Sequence, residues 1–185
     1  MRNRLDPDKG LEALIYVARR LDGNVYASLK ALYFADRHHL EESGFLVYGE
    51  DYFAPKHGPV PQFAYGVVKT VRGEGSPESK LVSGCAAFAG AFEKSEAPRK
   101  RIVATRDADT ELFSESDLEA LNAGIERVRG KQFDEIKQDS HDAAWRATQE
   151  NGFMGLETIA SSLDDGAELI YHLTRRDDER VEYDD

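Results

Sequence analysis

Cysteine is nearly missing. Cys85 stands alone, so no disulfide can close within the chain, and nothing here calls for an oxidising compartment. A cationic excess is missing too: 35 acidic against 24 basic side chains leave a formal net charge of −11. Sequence-independent binding to nucleic acid needs clustered cations that displace counterions, so that class of function is disfavoured. The same balance favours solubility and a basic protein partner. Long apolar runs are absent. The longest uncharged one, Leu81 to Phe92, has 12 residues with two glycines and a serine among them, too short to cross a bilayer. The first residues, "MRNRLDPDKGLEALIYVARR", lack the apolar core and small-residue cleavage site of a signal peptide. No repeat, G-x-S-x-G, P-loop or G-x-G-x-x-G occurs; "RGEGSPESK" holds only a G-x-G. The expectation is a cytoplasmic protein with no membrane segment.

What is present is enough for a core. Apolar residues make up 41% of the chain, with 9 Phe and 8 Tyr, more than a disordered chain carries. Asp6-Pro7 predicts a helix start, and Leu11, Leu14, Ile15, Ala18 and Leu21 form its apolar stripe. A second helix is predicted from Tyr26 to Ser43, stopped by Gly44, with Val25, Leu29, Leu32, Tyr33 and Leu40 buried. "FLVYGEDYFAPKHGPVP" then reads as one or two short strands. Pro61 opens a helix to about Arg72, and Gly73 to Ser79 is a loop. Leu81 to Phe92 fits strand or helix, and with Arg101 to Thr105 it could form a hairpin. Ser114 and Asp117, or Ser116 and Glu119, can form a capping box for a helix ending at Gly130. Further helices are expected over Phe133 to Glu150 and Gly155 to Leu163, then a turn or strand over Glu168 to Leu173. The fold class is α+β, mainly α-helical: one helical domain over residues 1–173 with a small antiparallel β element. A charged tail follows over 174–185.

Asp36 falls on the buried stripe of the second helix, where a carboxylate must find a partner or a wet edge. Asp36, His38, His39, Glu41 and Glu42 are potential metal ligands. Adjacent histidines on a helix diverge by about 100°, however, so they do not easily reach one ion unless His57 or His141 joins them. The simpler reading is a polar face with Asp36 and His39 hydrogen-bonded near the core, and no metal or cofactor. Cys85, in "SGCAAF", reads as a buried structural thiol. In "SHDAAW", Ser140 is a candidate N-cap, and Trp145 anchors a helix with His141 packed beside it. Gripping a partner is the sharper alternative for this pair. The residues taken alone favour a binding module over an enzyme.

"LKALYFADRHHLEESGFLVYGEDYFAPKHGPVP" resembles the signature of the Panacea domain, the SocA-like antitoxin family, and "SHDAAW" resembles an element toward that domain's C-terminal part. Leu81 to Asp109 departs from the pattern, and Glu50 stands where the family turn often has Gly or Asp. The resemblance implies an antitoxin of a two-gene module, often in prophage-like contexts, that neutralises a cognate toxin by direct protein contact. One branch hands its toxin to a protease. On this reading Tyr33, Asp36, His39, Tyr52, Lys56, Gly58, Pro59, Val60 and Pro61 are the candidate partner contacts. The proline-limited G-P-V-P step would keep that platform rigid. A metal-dependent hydrolase using Asp36, His38 and His39 is the enzyme alternative. A DNA-binding regulator is disfavoured by the acidity and by the lack of a recognisable basic helix-turn-helix.

Overall fold

Asp6 accepts hydrogen bonds from the amides of Asp8 (3.0 Å) and Lys9 (3.3 Å), two donors the first helical turn would otherwise leave open. Helix α1 follows as Pro7–Arg20. Asn24 caps the amide of Ala27 at 3.2 Å, and α2 runs Val25–Ser43 to a left-handed Gly44. The computed structural model describes residues 5–74, 85–95 and 101–171. Within them come strands β1 (Tyr52–Phe53) and β2 (Val60–Pro61), helix α3 (Gln62–Val71), a 3₁₀ turn (Ala86–Ala91), and strands β3 (Phe92–Lys94) and β4 (Ile102–Ala104). A second 3₁₀ turn (Thr110–Leu112) leads to α4 (Glu115–Val128), α5 (Phe133–Ser140), α6 (Ala143–Ala147), β5 (Phe153–Met154) and α7 (Leu156–Ala160). Residues 166–171 are helical. The architecture is mainly helical α+β.

The β elements are small. One sheet has the order β2-β1-β5, all antiparallel, with Tyr52 opposite both Pro61 and Met154. The other is the β3–β4 hairpin, with Phe92 opposite Ala104. No helix among the described residues is long and apolar enough to cross a membrane.

Helix α2 is the axis of the fold. From Ala27 to Asp36 every residue is buried, the polar ones included. Its small residues Ala27, Ala31 and Ala35, spaced by four, form a shallow ridge. Facing them is the matching row Ala120, Gly124 and Val128 of α4. The approach is close enough that a Cβ on Gly124 would lie 2.2 Å from the Ala31 carbonyl oxygen and 2.9 Å from the Ala35 nitrogen. Both are backbone atoms and cannot step aside. Alanine is the better helix former by about 1 kcal/mol, yet Gly124→Ala is expected to destabilise the chain by about 2 kcal/mol net, because overpacking outweighs propensity. Urea denaturation checks this; an unchanged midpoint would mean the two helices stand farther apart.

Several predicted boundaries agree with the fold. Ser114 and Asp117 form the capping box of α4, rather than Ser116 and Glu119. Strands Phe92–Lys94 and Ile102–Ala104 pair as a hairpin, but the strand expected over 81–92 contributes only Phe92 among its described residues, 86–91 being a 3₁₀ turn. Three readings differ. The helix expected over Phe133 to Glu150 is broken at His141-Asp142: α5 ends at Ser140, and Asp142, not Ser140, caps α6 through the Trp145 amide at 3.0 Å. The described part of Glu168 to Leu173 is helical rather than a turn or strand. Pro61 lies in β2 and caps α3 instead of opening it. Its ring offers no side-chain acceptor, and the Glu50 carboxylate supplies one from 13 positions away, 2.9 Å from the Phe63 amide. The loop over 75–79, residues 96–100 and the tail over 174–185 lie outside the described residues.

Candidate functional site

The family-like stretch folds into two adjoining polar clusters on either side of α2. The first surrounds Asp36. Its Oδ1 accepts the Tyr48 amide at 2.7 Å; its Oδ2 accepts the Gly49 amide at 3.3 Å and the Tyr52 hydroxyl at 2.8 Å. The Tyr52 hydroxyl also lies 3.1 Å from the Leu32 carbonyl. Burial pushes the Asp36 carboxyl up to about 6, against the pull of its donors. Glu50 is pushed up to about 7, again chiefly by burial, with the Phe63 amide opposing. These carboxylates hold the 48–52 turn and the start of α3 against α2. The buried, otherwise unpaired acid expected on the α2 stripe has thus found its partners in backbone amides.

The second cluster lies where α2 meets loop 54–59 and the α5–α6 corner. Lys30, wholly buried, donates its ammonium hydrogen bond to the Pro59 carbonyl. Burial holds its pKa well below the usual lysine range. Gly58 has φ +87°, and a Cβ there would sit 2.4 Å from Ser140 Oγ, 3.1 Å from Lys30 Nζ and 3.3 Å from His141 Cδ2. The glycine is therefore required twice over, by backbone angle and by space. Two turns along α2 from Lys30, Arg37 pairs with Asp142, which also accepts from the Tyr33 hydroxyl at 2.7 Å. Trp145 donates its indole N–H to the Pro55 carbonyl at 3.1 Å. His141 stacks on Trp145 with ring centroids 3.6 Å apart and planes 10° apart. Burial, then the positive charges of Lys137 and Lys30, lower the His141 pKa, so the stacked ring is neutral at neutral pH.

The depressed pKa of the lysine under Pro59 has a measurable consequence. In the unfolded chain Lys30 is protonated up to about pH 10.4, whereas the folded chain disfavours that proton. Stability therefore falls as pH drops from there toward the depressed folded pKa. Lys30→Met removes this cost and forfeits one hydrogen bond. It is expected to raise stability at pH 7 by roughly 1–2 kcal/mol, with the gain shrinking toward pH 10.5. Denaturant titrations at the two pH values check the sign.

Outward of this corner lies an open cleft of about 570 Å³ lined by Asp134, Lys137, Gln138, His141, Trp145 and Arg146. Beside it Phe133, 45% exposed, packs on Tyr26 (4.5 Å between centroids) and on His57 (5.5 Å).

Of the nine candidate contacts, eight are buried: Tyr33, Asp36, His39, Tyr52, Gly58, Pro59, Val60 and Pro61. Only Lys56 is exposed. Tyr33 bonds Asp142, Asp36 and Tyr52 bond each other and the 48–52 turn, and His39 lies against Ser116, while Lys56 is left exposed. The Asp36/His38/His39 set does not converge. Asp36 faces the 48–52 turn, while His39 faces the start of α4, 3.3 Å from Ser116 Oγ and 4.0 Å from Asp117. No group of three or more His, Cys, Asp or Glu among the described residues is placed to hold a metal. Cys85 is buried with its thiol on the Phe63 carbonyl at 3.5 Å, and burial raises its pKa. Sequence reasoning missed Lys30, Arg37, Lys137 and Arg146. Only Lys30 carried a signal, as a charged residue one turn before Tyr33 on the apolar stripe.

The family described as antitoxin SocA-like, Panacea domain, matches residues 29–146. That span opens at the start of α2's buried run and closes just after Trp145, so it takes in both clusters. No curated protein and no solved structure matches the chain.

Proposed function

The chain belongs to the SocA-like antitoxin family with a Panacea domain, and from that premise we propose that it silences a cognate toxin by direct protein–protein binding, with no chemistry of its own. One observation carries the reading. The chemistry-bearing side chains of the matched stretch, namely Lys30, Tyr33, Asp36, Arg37 and Asp142, are engaged in holding one loop and one helix corner in place. What they leave facing outward is a preorganised surface, and preorganisation lowers the ordering cost that a tight inhibitor would otherwise meet. The protein works in the cytoplasm on this reading, beside a toxin encoded by the adjacent gene.

Co-expression tests it. The neighbouring open reading frame should arrest growth alone, and this chain should restore growth and co-purify with the product in a defined ratio. A neighbouring product that is harmless, or that the purified chain does not bind, would overturn the reading. Toxin half-life in the presence and absence of the chain separates blocking, where it is unchanged, from delivery to a protease, where it shortens.

A further inference from the structure

The chain is strongly acidic, yet one face is not. Lys56 on loop 54–59, Lys137 on α5 and Arg146 on α6 form no ion pair among the described residues. Asp134 is the one carboxylate lining the cleft beside Lys137 and Arg146, and Lys56 stands on the adjoining loop, whose Pro55 carbonyl holds Trp145. The other acids nearby are already engaged. Asp139 is held by Arg127 (2.9 Å) and Lys131 (3.2 Å), Asp142 by Arg37, and Glu135 by the Gln132 amide at 2.6 Å. Set into this cationic rim are the half-exposed Phe133 and the His141–Trp145 stack. The stack is fixed from behind by the Pro55 carbonyl and by the Asp142 cap. Fixed aromatic surface inside a charged rim is the composition of an interface centre.

We propose that this face, made by loop 55–58 and the outer sides of α5 and α6, receives an acidic segment of the protein partner. A large apolar side chain of that segment seats against Phe133 and Trp145, and the carboxylates beside it meet Lys56, Lys137 and Arg146. The proposal rests on the reading that the chain acts by binding a protein. Charge complementarity selects the occupant. A net charge of −11 repels a long polyanion such as nucleic acid from a distance, whereas a short segment with a few carboxylates feels chiefly the three nearby cations. The His141 ring stacked on Trp145 gives the cleft one flat ring surface.

Trp145 is the only tryptophan, so intrinsic fluorescence of the whole chain reports this cleft. The probe is a synthetic peptide of about 12 residues, mostly Gly and Ser, with three Asp or Glu around one central Phe, long enough when extended to span the face. Its controls are the same peptide with Asn and Gln in place of the acids, and a single-stranded oligonucleotide. The acidic peptide should shift Trp145 emission saturably, and added salt should weaken it. The double variant Lys137→Glu, Arg146→Glu should lose at least about tenfold in affinity. Lys94→Glu, on the exposed hairpin strand β3, should stay within about twofold, as expected of a charge outside the interface. Lys56→Glu on the loop is the second variant, should the double one melt early. Three results would each overturn the proposal: the amide peptide binding as well as the acidic one, the oligonucleotide binding more tightly, or no saturable change with any probe. The toxin takes no part in this titration, so its failure leaves the antitoxin reading to be decided by co-expression alone.

Discussion

Asp142→Ala is expected to cost about 4 kcal/mol of stability, the largest effect of any single substitution considered. Three interactions end together. The Arg37 guanidinium loses its counter-ion where both side chains are only 16% exposed. Stranding one partner of a largely buried pair typically costs several kcal/mol, because the remaining charge has no water to replace the loss. The buried Tyr33 hydroxyl loses its acceptor at 2.7 Å. The Trp145 amide loses its cap at 3.0 Å, worth about 1 kcal/mol alone. Asp142→Asn should fall between the variants, since an amide oxygen can still cap α6 and accept from Tyr33 but cannot balance the guanidinium. Urea denaturation followed by far-UV circular dichroism gives the ranking. Trp145 emission should move to the red in the alanine variant before global unfolding, because the helix that carries it has lost both its cap and its anchor. An alanine variant within about 1 kcal/mol of the parent would show that the pair is solvated and that the corner does not depend on it.

Asp36 comes next, and here the direction of the pH dependence is diagnostic. Asp36→Ala leaves the Tyr48 and Gly49 amides without acceptors in a fully buried site and is expected to cost about 3 kcal/mol. Asp36→Asn should be tolerated. Its oxygen can take the Tyr48 amide, its NH₂ can donate to the Tyr52 oxygen, and Tyr52 can turn its own proton to the Leu32 carbonyl at 3.1 Å. Only the long Gly49 contact is lost, so the variant should lie within about 1 kcal/mol of the parent at pH 7.5. The folded carboxyl is raised to about 6 from the ordinary aspartate value of 3.8. The native state therefore holds the proton more tightly than the unfolded one. This group's contribution is greatest below about pH 4 and declines as pH rises through 6. Relative to Asp36→Asn, the parent should gain about 3 kcal/mol on acidification from pH 7 to pH 3.5. Comparing the two chains cancels the opposite trend from Glu12, Asp117 and Asp139, whose pKa values are lowered. A difference that stays flat with pH would mean that Asp36 is ionised throughout and better hydrated than its burial implies.

Much of the local architecture was readable in the residues. Asp6-Pro7, the left-handed Gly44 and the Ser114–Asp117 box act within four positions of themselves, so a helix end is decided by its own neighbours. The apolar stripe of α2 was legible for the same reason. The α5–α6 break was not. Periodicity carries smoothly through "DEIKQDSHDAAW", and what stops the helix is Asp142 turning its carboxylate to Arg37 and Tyr33, 105 and 109 positions away. The motif residues were visible as polar groups on an apolar stripe, but a stripe does not say whether such a group faces a partner protein or the chain's own loop.

By itself, then, the sequence determined where α1, α2 and α4 lie and that the chain is acidic and mainly helical. These follow from caps, periods and composition, which act at short range. Tertiary structure alone decided that Asp36, Lys30 and Tyr33 point inward, and that Lys137, Trp145 and Arg146 from two helices line one open cleft. Both are matters of which distant parts of the chain pack together. A buried polar group takes whatever partner the folded backbone brings within about 3 Å, and no local pattern carries that information.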